Sequence, residues 1–348
     1  MSGDILAVDV GTTALKLAVF SPELERRFET TRPYPANLYG QGKADIDPER
    51  WWTAFESACL EAGDHLSGIS VLSMGVTTPG LTPMDEDGTP LAPAVLVIDG
   101  RSHRQAAAIR SEVGDDVFLA ETCNLPVAGG SSLCSILWFK DEQPDVWDRA
   151  AMFGHTNTYM VKRLTGKWAI DPSTVSITGM YRTPEDDLSW HEPILGAAGI
   201  SPDRLPPLYR SHDVVGTVRG EVATRLGLPE GTAVLCGAND AALAALSADL
   251  TQSGGISVVL GTVDLTTVCT DRPVSSPRFN LRCHAVPGLW ITLFVLNAGS
   301  KAFEWFHRQF CRDLTEEQFY GEYMPSVLTG FLAGEDVTAA EEALPTYV

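Results

Sequence analysis

The sequence predicts an α/β protein of two domains, and three observations carry that reading. The chain has 348 residues, and at about 150 residues per domain two domains are the natural expectation. Apolar runs of strand length recur, separated by Gly, Pro and Asp: Ile5–Val10, Leu15–Phe20, Ile69–Val76, Ala94–Ile98, Ala233–Cys236, Ile256–Leu260 and Leu289–Leu296. Between several of them the apolar spacing turns helical. Trp51, Phe55, Cys59, Ala62 and Leu66 follow steps of four, four, three and four, the stripe of an amphipathic helix. Buried strands interleaved with such helices define the α/β class.

In chain order, Asp47-Pro48-Glu49 supplies that helix with a cap, a proline suited to its first turn and an acid near its N-terminus. Trp51 and Trp52 read as packing residues. Asp85-Glu86-Asp87-Gly88 reads as a hairpin turn between Gly80–Met84 and the strand ending at Ile98, and Pro202 to Pro207 as an exposed connection. A helix starts near Asp240, and a second strand–turn–strand unit opens at Gly254-Gly255. The best domain boundary lies after that helix, where this unit opens, and the two domains are assigned residues 1–243 and 244–348. No internal repeat or low-complexity segment interrupts the pattern.

Composition narrows the function. Hydrophobic residues make up 44% and charged residues 20%, a globular balance. Lys plus Arg number 25 against 45 Asp plus Glu, a net charge of −20. Nucleic acid and anionic membranes need a basic footprint, so neither is an expected partner. The seven cysteines are odd in number and include no Cys-x-x-Cys pair. That speaks against a disulfide framework or thiolate zinc site and for a reducing cytoplasm. No apolar stretch approaches the roughly 18 residues of a membrane span, and Met1 to Asp4 run straight into a strand with no basic leader. The histidines, His103 and His155 among them, lack ligand spacing.

Two Gly-Thr turns carry the phosphate chemistry. Asp9-Val10-Gly11-Thr12-Thr13 lies between two apolar runs, where a tight turn gathers backbone N–H groups into an anion-binding nest and the Thr hydroxyls add donors. Asp9, at the strand end, suits Mg²⁺ held through water. Taken alone, these five residues read equally as an ordinary hairpin turn. The second turn, Gly261-Thr262, sits in Val258 to Asp264. One such turn in each half is what a nucleotide clamped between two domains needs. The P-loop, dinucleotide, nucleophile-elbow and zincin motifs are all absent. Asp240 stands where a buried strand and small-residue turn give way to a helix. It reads either as a helix cap or as the base that takes the proton from a hydroxyl attacking phosphorus.

In this order, the segments resemble the FGGY carbohydrate kinases, most closely the xylulokinase-like branch, over residues 4 to about 311. Asp9-x-Gly11-Thr12-Thr13 with Lys16 resembles the family's first phosphate loop, and Asp45-x-Asp47-Pro48-x-x-Trp51-Trp52 its acidic stretch before the first helix. Asp99-Gly100-Arg101 resembles the segment near the sugar. Leu137-Trp138 with Pro144, and Leu164-Thr165-Gly166 with Asp171, Ser173 and Gly179, follow the family pattern. Gly237-Ala238-Asn239-Asp240 falls on the catalytic-base position, Leu260-Gly261-Thr262 on the second phosphate loop, and Asn297-Ala298-Gly299 opens a helix with Trp305-Phe306.

The resemblance implies an actin-like (ribonuclease H-like) two-domain fold with mixed five-stranded sheets. It also implies ATP and Mg²⁺ in a cleft, and phosphoryl transfer to a sugar or polyol hydroxyl. Asp240 is then the base and Asp9 the metal residue. Gly11, Thr12, Thr13, Lys16, Gly261 and Thr262 receive phosphates, and Thr78, Asp99 and Arg101 face the sugar. Asp99 and Arg101 read alternatively as an ion pair on a surface turn. The expected partner is the small-molecule sugar or polyol, with a homodimer allowed. Thr78-Pro79, Val97, Ala241 and Val263-Asp264 depart from common family choices. Leu344 to Val348 resemble the strand leading into a later Pro-Tyr-x-x-Gly-x-Arg segment, so the resemblance implies an incomplete second domain and impaired activity. The alternative is a non-catalytic sugar-binding or regulatory module.

Overall fold

The computed structural model describes residues 3–39, 42–260, 264–296 and 299–332. Alternation along the strand Asp4–Val10 buries Leu6, Val8 and Val10. This strand runs antiparallel to Ala14–Phe20, with Asp9 opposite Lys16, and parallel to Ile69–Val76, with Asp9 opposite Gly75. The mixed sheet has the order Val214–Thr217, Ala233–Leu235, Ile69–Val76, Asp4–Val10, Ala14–Phe20, Arg26–Pro33. A seventh strand, Ala238–Asn239, pairs with Ile69–Val76 further along the same edge as Ala233–Leu235. The two short pieces are one row interrupted at Gly237. There φ is +81°, and a side chain would press on the Met74 backbone oxygen 2.5 Å from its Cβ. Only glycine accepts both conditions.

A second, antiparallel sheet has the order Asn37–Tyr39, Lys43–Ile46, Ala94–Leu96, Gly80–Met84, Met152–Gly154. Gly80 pairs with Leu96 around the expected turn, closed by Gly88 N–H donating to Asp85 O at 3.0 Å. The strand stops at Leu96, and Val97 and Ile98 are exposed rather than continuing the expected run.

The helix Pro48–Ala62 begins as its sequence requires, with Asp47 Oδ1 accepting from Glu49 N–H at 3.0 Å. It buries Trp51, Trp52, Phe55 and Cys59 against the first sheet, while Leu66 follows in a short 3-10 turn, Gly63–Leu66. Each such large apolar side chain contributes about 1.5–3 kcal/mol through burial. A second core, with Val95, Ile109, Phe118, Ile136 and Phe153, lies under the helices His103–Val113 and Ser132–Glu142. All seven cysteines are buried and unpaired. Among the described residues no helix is long and apolar enough to cross a membrane.

By compactness, Met1–Ser257 with Thr266–Phe294 forms one unit, and Val258–Leu265 with Val295–Val348 a second. The helix Asp240–Ser247, after which the sequence boundary was expected, lies inside the first. So does the strand Asn280–Cys283, which is antiparallel to Trp290–Leu296, with Cys283 opposite Trp290. The reason is a set of buried polar bonds. The Asn124 amide donates to Leu281 O at 2.7 Å and accepts from Leu281 N–H at 2.9 Å. Cys283 N–H donates to Ser176 Oγ at 2.9 Å, and Trp290 Nε1 to Thr183 O at 2.8 Å. Leu281 and Cys283 then complete a small core with Ile170, Val175 and Tyr181.

Candidate active site

The first Gly-Thr turn follows directly from the ladder between Asp4–Val10 and Ala14–Phe20. Gly11 N–H donates to Ala14 O at 3.0 Å, and a Cβ on Gly11 would meet that same oxygen at 3.0 Å, tighter than a side chain readily tolerates. Tyr34 braces the turn from behind, its hydroxyl donating to Gly11 O at 2.7 Å and its N–H to Thr13 O at 2.9 Å. Thr12 Oγ1 lies 3.0 Å from Thr77 Oγ1. Thr12 and Thr13 are otherwise exposed. Cross-strand register brings Lys16 Nζ to 3.1 Å from Asp9 Oδ2, with 66% and 42% of the two side chains exposed. A pair so open to water contributes at most about 1 kcal/mol to stability.

Asp240 is the first residue of the helix Asp240–Ser247, and the cap before it is Asn239, whose Oδ1 accepts from Ala241 N–H at 3.0 Å. The capping role that the sequence allowed for Asp240 therefore belongs to its neighbour. Asp240 Oδ1 accepts from Ala241 N–H at 2.7 Å and from Asn239 Nδ2 at 3.0 Å. The residue keeps an exposed edge, yet the atoms crowded round its carboxyl push its pKa above the usual carboxylate range. The positive charge of Arg282 opposes that shift, and the negative charge of Asp9 adds to it.

Arg282 enters from the strand Asn280–Cys283 and is buried. Its Nη1 donates to Asn239 Oδ1 at 2.8 Å and to Thr78 Oγ1 at 3.2 Å. Thr78 Oγ1 also accepts from Asn239 Nδ2. Burial lowers the guanidinium's pKa below its ordinary value, against the pull of Asp240. Behind Asn239 the network continues inward. Its N–H donates to Ser173 Oγ at 2.9 Å, and Ser173 Oγ donates to Asp171 Oδ2 at 2.5 Å. Asp171 also accepts from Asn157 Nδ2 at 3.1 Å and Ser211 Oγ at 3.1 Å.

Asp9, Lys16, Gly75, Asp240 and Leu243 line one cavity of about 530 Å³. Three sequence-predicted site residues, Asp9, Lys16 and Asp240, are thus brought together, and Thr78 adjoins them through Asn239. Asp99 and Arg101 do not border this cavity. Nor do they form a surface turn: Asp99 is 1% exposed. Its Oδ2 accepts from Ala44 N–H at 2.6 Å, and its Oδ1 from Arg101 N–H at 2.9 Å. Arg101 Nε reaches both oxygens at 2.9 Å, while Nη2 reaches Asp45 at 2.9 Å and the guanidinium lies 5.0 Å from the Trp138 ring centroid. Gly261 and Thr262 lie outside the described residues.

Among the described residues no group of three or more His, Cys, Asp or Glu forms a metal cage. The Asp9 carboxylate at the cavity edge nevertheless suits Mg²⁺, which keeps several waters and takes its remaining ligands from substrate phosphates. Sequence reasoning missed Asn239 and Arg282 as site residues. The available signal was a single cation between the apolar Leu281 and Cys283.

Residues 5–247 match the model of the FGGY family of carbohydrate kinases, N-terminal domain. The chain is 26% identical to the gluconokinase of Bacillus subtilis over 314 residues, covering 89% of this chain and 60% of that protein. It is 29% identical to the xylulose kinase of Streptomyces rubiginosus over 290 residues, covering 83% of this chain and 59% of that protein. The chain therefore spans about 60% of the length of such relatives. Among solved structures, the xylulose kinase of Rhodospirillum rubrum superposes with a TM-score of 0.84 at 25% identity, over 92% of this chain and 65% of that one. A kinase from Brucella ovis superposes with a TM-score of 0.81 at 24% identity, over 88% and 63%, and supports the fold.

Proposed function

Because the chain belongs to the FGGY family of carbohydrate kinases, we propose that it serves the ATP-dependent phosphorylation of a sugar or polyol hydroxyl. One observation carries the reading: Asp240 shares a cavity with Asp9 and Lys16 and, among the described residues, has both of its hydrogen bonds on Oδ1. Oδ2 is the oxygen left to take the hydroxyl proton while the sugar oxygen bonds to the γ-phosphorus. The bond from phosphorus to the β–γ bridging oxygen breaks and ADP departs. A carboxyl pKa above the usual range brings this base closer to working pH, where proton transfer is most efficient.

Gly11, Thr12 and Thr13 offer donors to phosphate oxygens, Lys16 adds charge, and Gly261 and Thr262 supply the second turn. Mg²⁺ held through water by Asp9 would neutralise charge on the phosphates. Thr78 contacts the sugar, while Asp99 and Arg101 shape its surroundings by locking the segment that carries them. The division into 1–243 and 244–348 is kept as the family's domain order, supported by the family model ending at 247. A cytoplasmic setting is supported by seven buried, unpaired thiols.

Xylulose and gluconate are the first substrates to try, since similar proteins bear those names. The test is ADP release from Mg·ATP in the presence of each, with Asp240→Asn as control. Sugar-dependent ADP release that vanishes in the variant is the expected result. Sugar binding with no ADP release returns the reading to a non-catalytic sugar-binding module.

A further inference from the structure

We propose that Arg282 is a positioning residue that fixes the side-chain amide of Asn239, and thereby decides which atoms of Asp240 and Thr78 are left for a ligand. The role of Asp240 in this statement rests on its reading as the base. A guanidinium has donors only, so Nη1 can meet Asn239 only through its oxygen, which it does at 2.8 Å. Ala241 N–H donates to the same oxygen at 3.0 Å. An amide rotated by half a turn would set its NH₂ against both of these donors and its oxygen against the Asp240 carboxylate. In a buried position such mismatches are costly. With the oxygen gripped, Nδ2 is aimed at Asp240 Oδ1, 3.0 Å away, and at Thr78 Oγ1.

Two consequences follow for ligand chemistry. Asp240 Oδ1 is occupied by Nδ2 and by Ala241 N–H, so proton acceptance is directed to Oδ2. Thr78 Oγ1 accepts from both Arg282 and Asn239, which uses its two lone pairs. Its hydroxyl hydrogen is the remaining handle, so Thr78 meets a ligand as a donor. The pair therefore selects a fragment with a hydroxyl donor for Asp240 and an acceptor oxygen, hydroxyl, carbonyl or carboxylate, for Thr78. Arg282 itself stays enclosed, with Nε buried and, among the described residues, without a hydrogen-bond partner. It acts through Asn239 rather than by reaching the reacting atoms.

The test is side-chain amide hydrogen exchange by NMR on the ¹⁵N-labelled full chain, the Asn239 signal being assigned by its loss in Asn239→Ser. Arg282→Met and the milder Arg282→Gln should speed exchange of that amide by about tenfold or more, the ratio matching one lost hydrogen bond to a charged group. Arg282→Lys, which also offers donors only, should keep most of the protection. Unchanged protection in folded Arg282→Met or Arg282→Gln overturns the proposal, and so does equal loss in Arg282→Lys. Normal turnover in Asp240→Asn would sink the base reading alone and leave the amide result standing.

Discussion

Asp99 accepts hydrogen bonds on both oxygens, from Ala44 N–H and from the backbone and side chain of the adjacent Arg101. Asp240 has its bonds on one oxygen, and the arginine nearest it, Arg282, is gripped by Asn239 and Thr78. The two sites use the same residue types to opposite effect. Where the arginine is two residues away and points straight back, charge and lone pairs are fully consumed and the carboxylate becomes a structural lock. Where an amide stands between carboxylate and arginine, the charge is felt while one oxygen stays available. In this chain the Asp with a sequence-adjacent arginine is the locked one, and the Asp whose arginine comes from a distant strand keeps an oxygen open among the described residues.

The largest effect that sharpens this contrast is on turnover. Asp240→Asn should lower it by about 10²–10⁴-fold, the range for a positioned base, with a much smaller change in sugar affinity. Steady-state rates beside calorimetric titration separate the two quantities. Near-normal turnover would reduce Asp240 to a helix-start residue and dissolve the comparison.

Asp99→Ala should act on stability instead. Removing Asp99 leaves Arg101 with Asp45 alone and leaves Ala44 N–H without its acceptor, and costs about 1–3 kcal/mol, read as a lower urea midpoint. A variant that keeps its midpoint but loses turnover would move Asp99 to the reactive side of the comparison.

Most of the architecture was legible because its signals are local. The strand Ile69–Val76 and the helix from Pro48 were written in apolar period and cap chemistry. The positions of Asp9 near a strand end and Asp240 at a helix start were legible because such positions are visible in one dimension. What escaped depends on tertiary burial. The apolar neighbours Leu281 and Cys283 hint that Arg282 is enclosed, but no local signal sets it beside residues 78 and 239. Asn239 took the capping role from Asp240 because one-residue offsets at helix ends are set by backbone geometry. A surface pair stayed open as the alternative to a sugar-facing role for Asp99 and Arg101 because the partners that bury them, Ala44, Asp45 and Trp138, come from other segments.

His155 tests the opposite outcome for a buried cation. Arg282 sets Nη1 on two oxygens, Asn239 Oδ1 and Thr78 Oγ1, whereas His155 has Nε2 2.7 Å from Ser132 Oγ and, among the described residues, Nδ1 buried without a partner. Burial lowers its pKa to about 3. In the unfolded chain the value is about 6.5. The folded state therefore binds fewer protons, and stability from this group is full above about pH 6.5 and lost as pH falls toward 3. At pH 5 the loss is about 2 kcal/mol. His155→Gln should flatten that part of the acid limb in urea titrations across pH, and an unchanged slope would show that His155 takes up its proton without unfolding.

The smallest stability effect belongs to the most exposed pair. Lys16 and Asp9 are 3.1 Å apart with 66% and 42% of their side chains exposed, so solvent and salt screen their attraction. Lys16→Met should shift the unfolding free energy by no more than about 1 kcal/mol, and by less at high salt. Because Lys16 borders the cavity with Asp240, the same change should weaken ATP binding several-fold while leaving sugar affinity unchanged, both read by calorimetry. The contrast with Asp99→Ala is the point of the measurement. An ion pair that matters for folding loses stability when one member goes, and one that matters for phosphate loses affinity. A stability loss above about 2 kcal/mol in Lys16→Met, with ATP affinity intact, would place Lys16 with Asp99 among the locks.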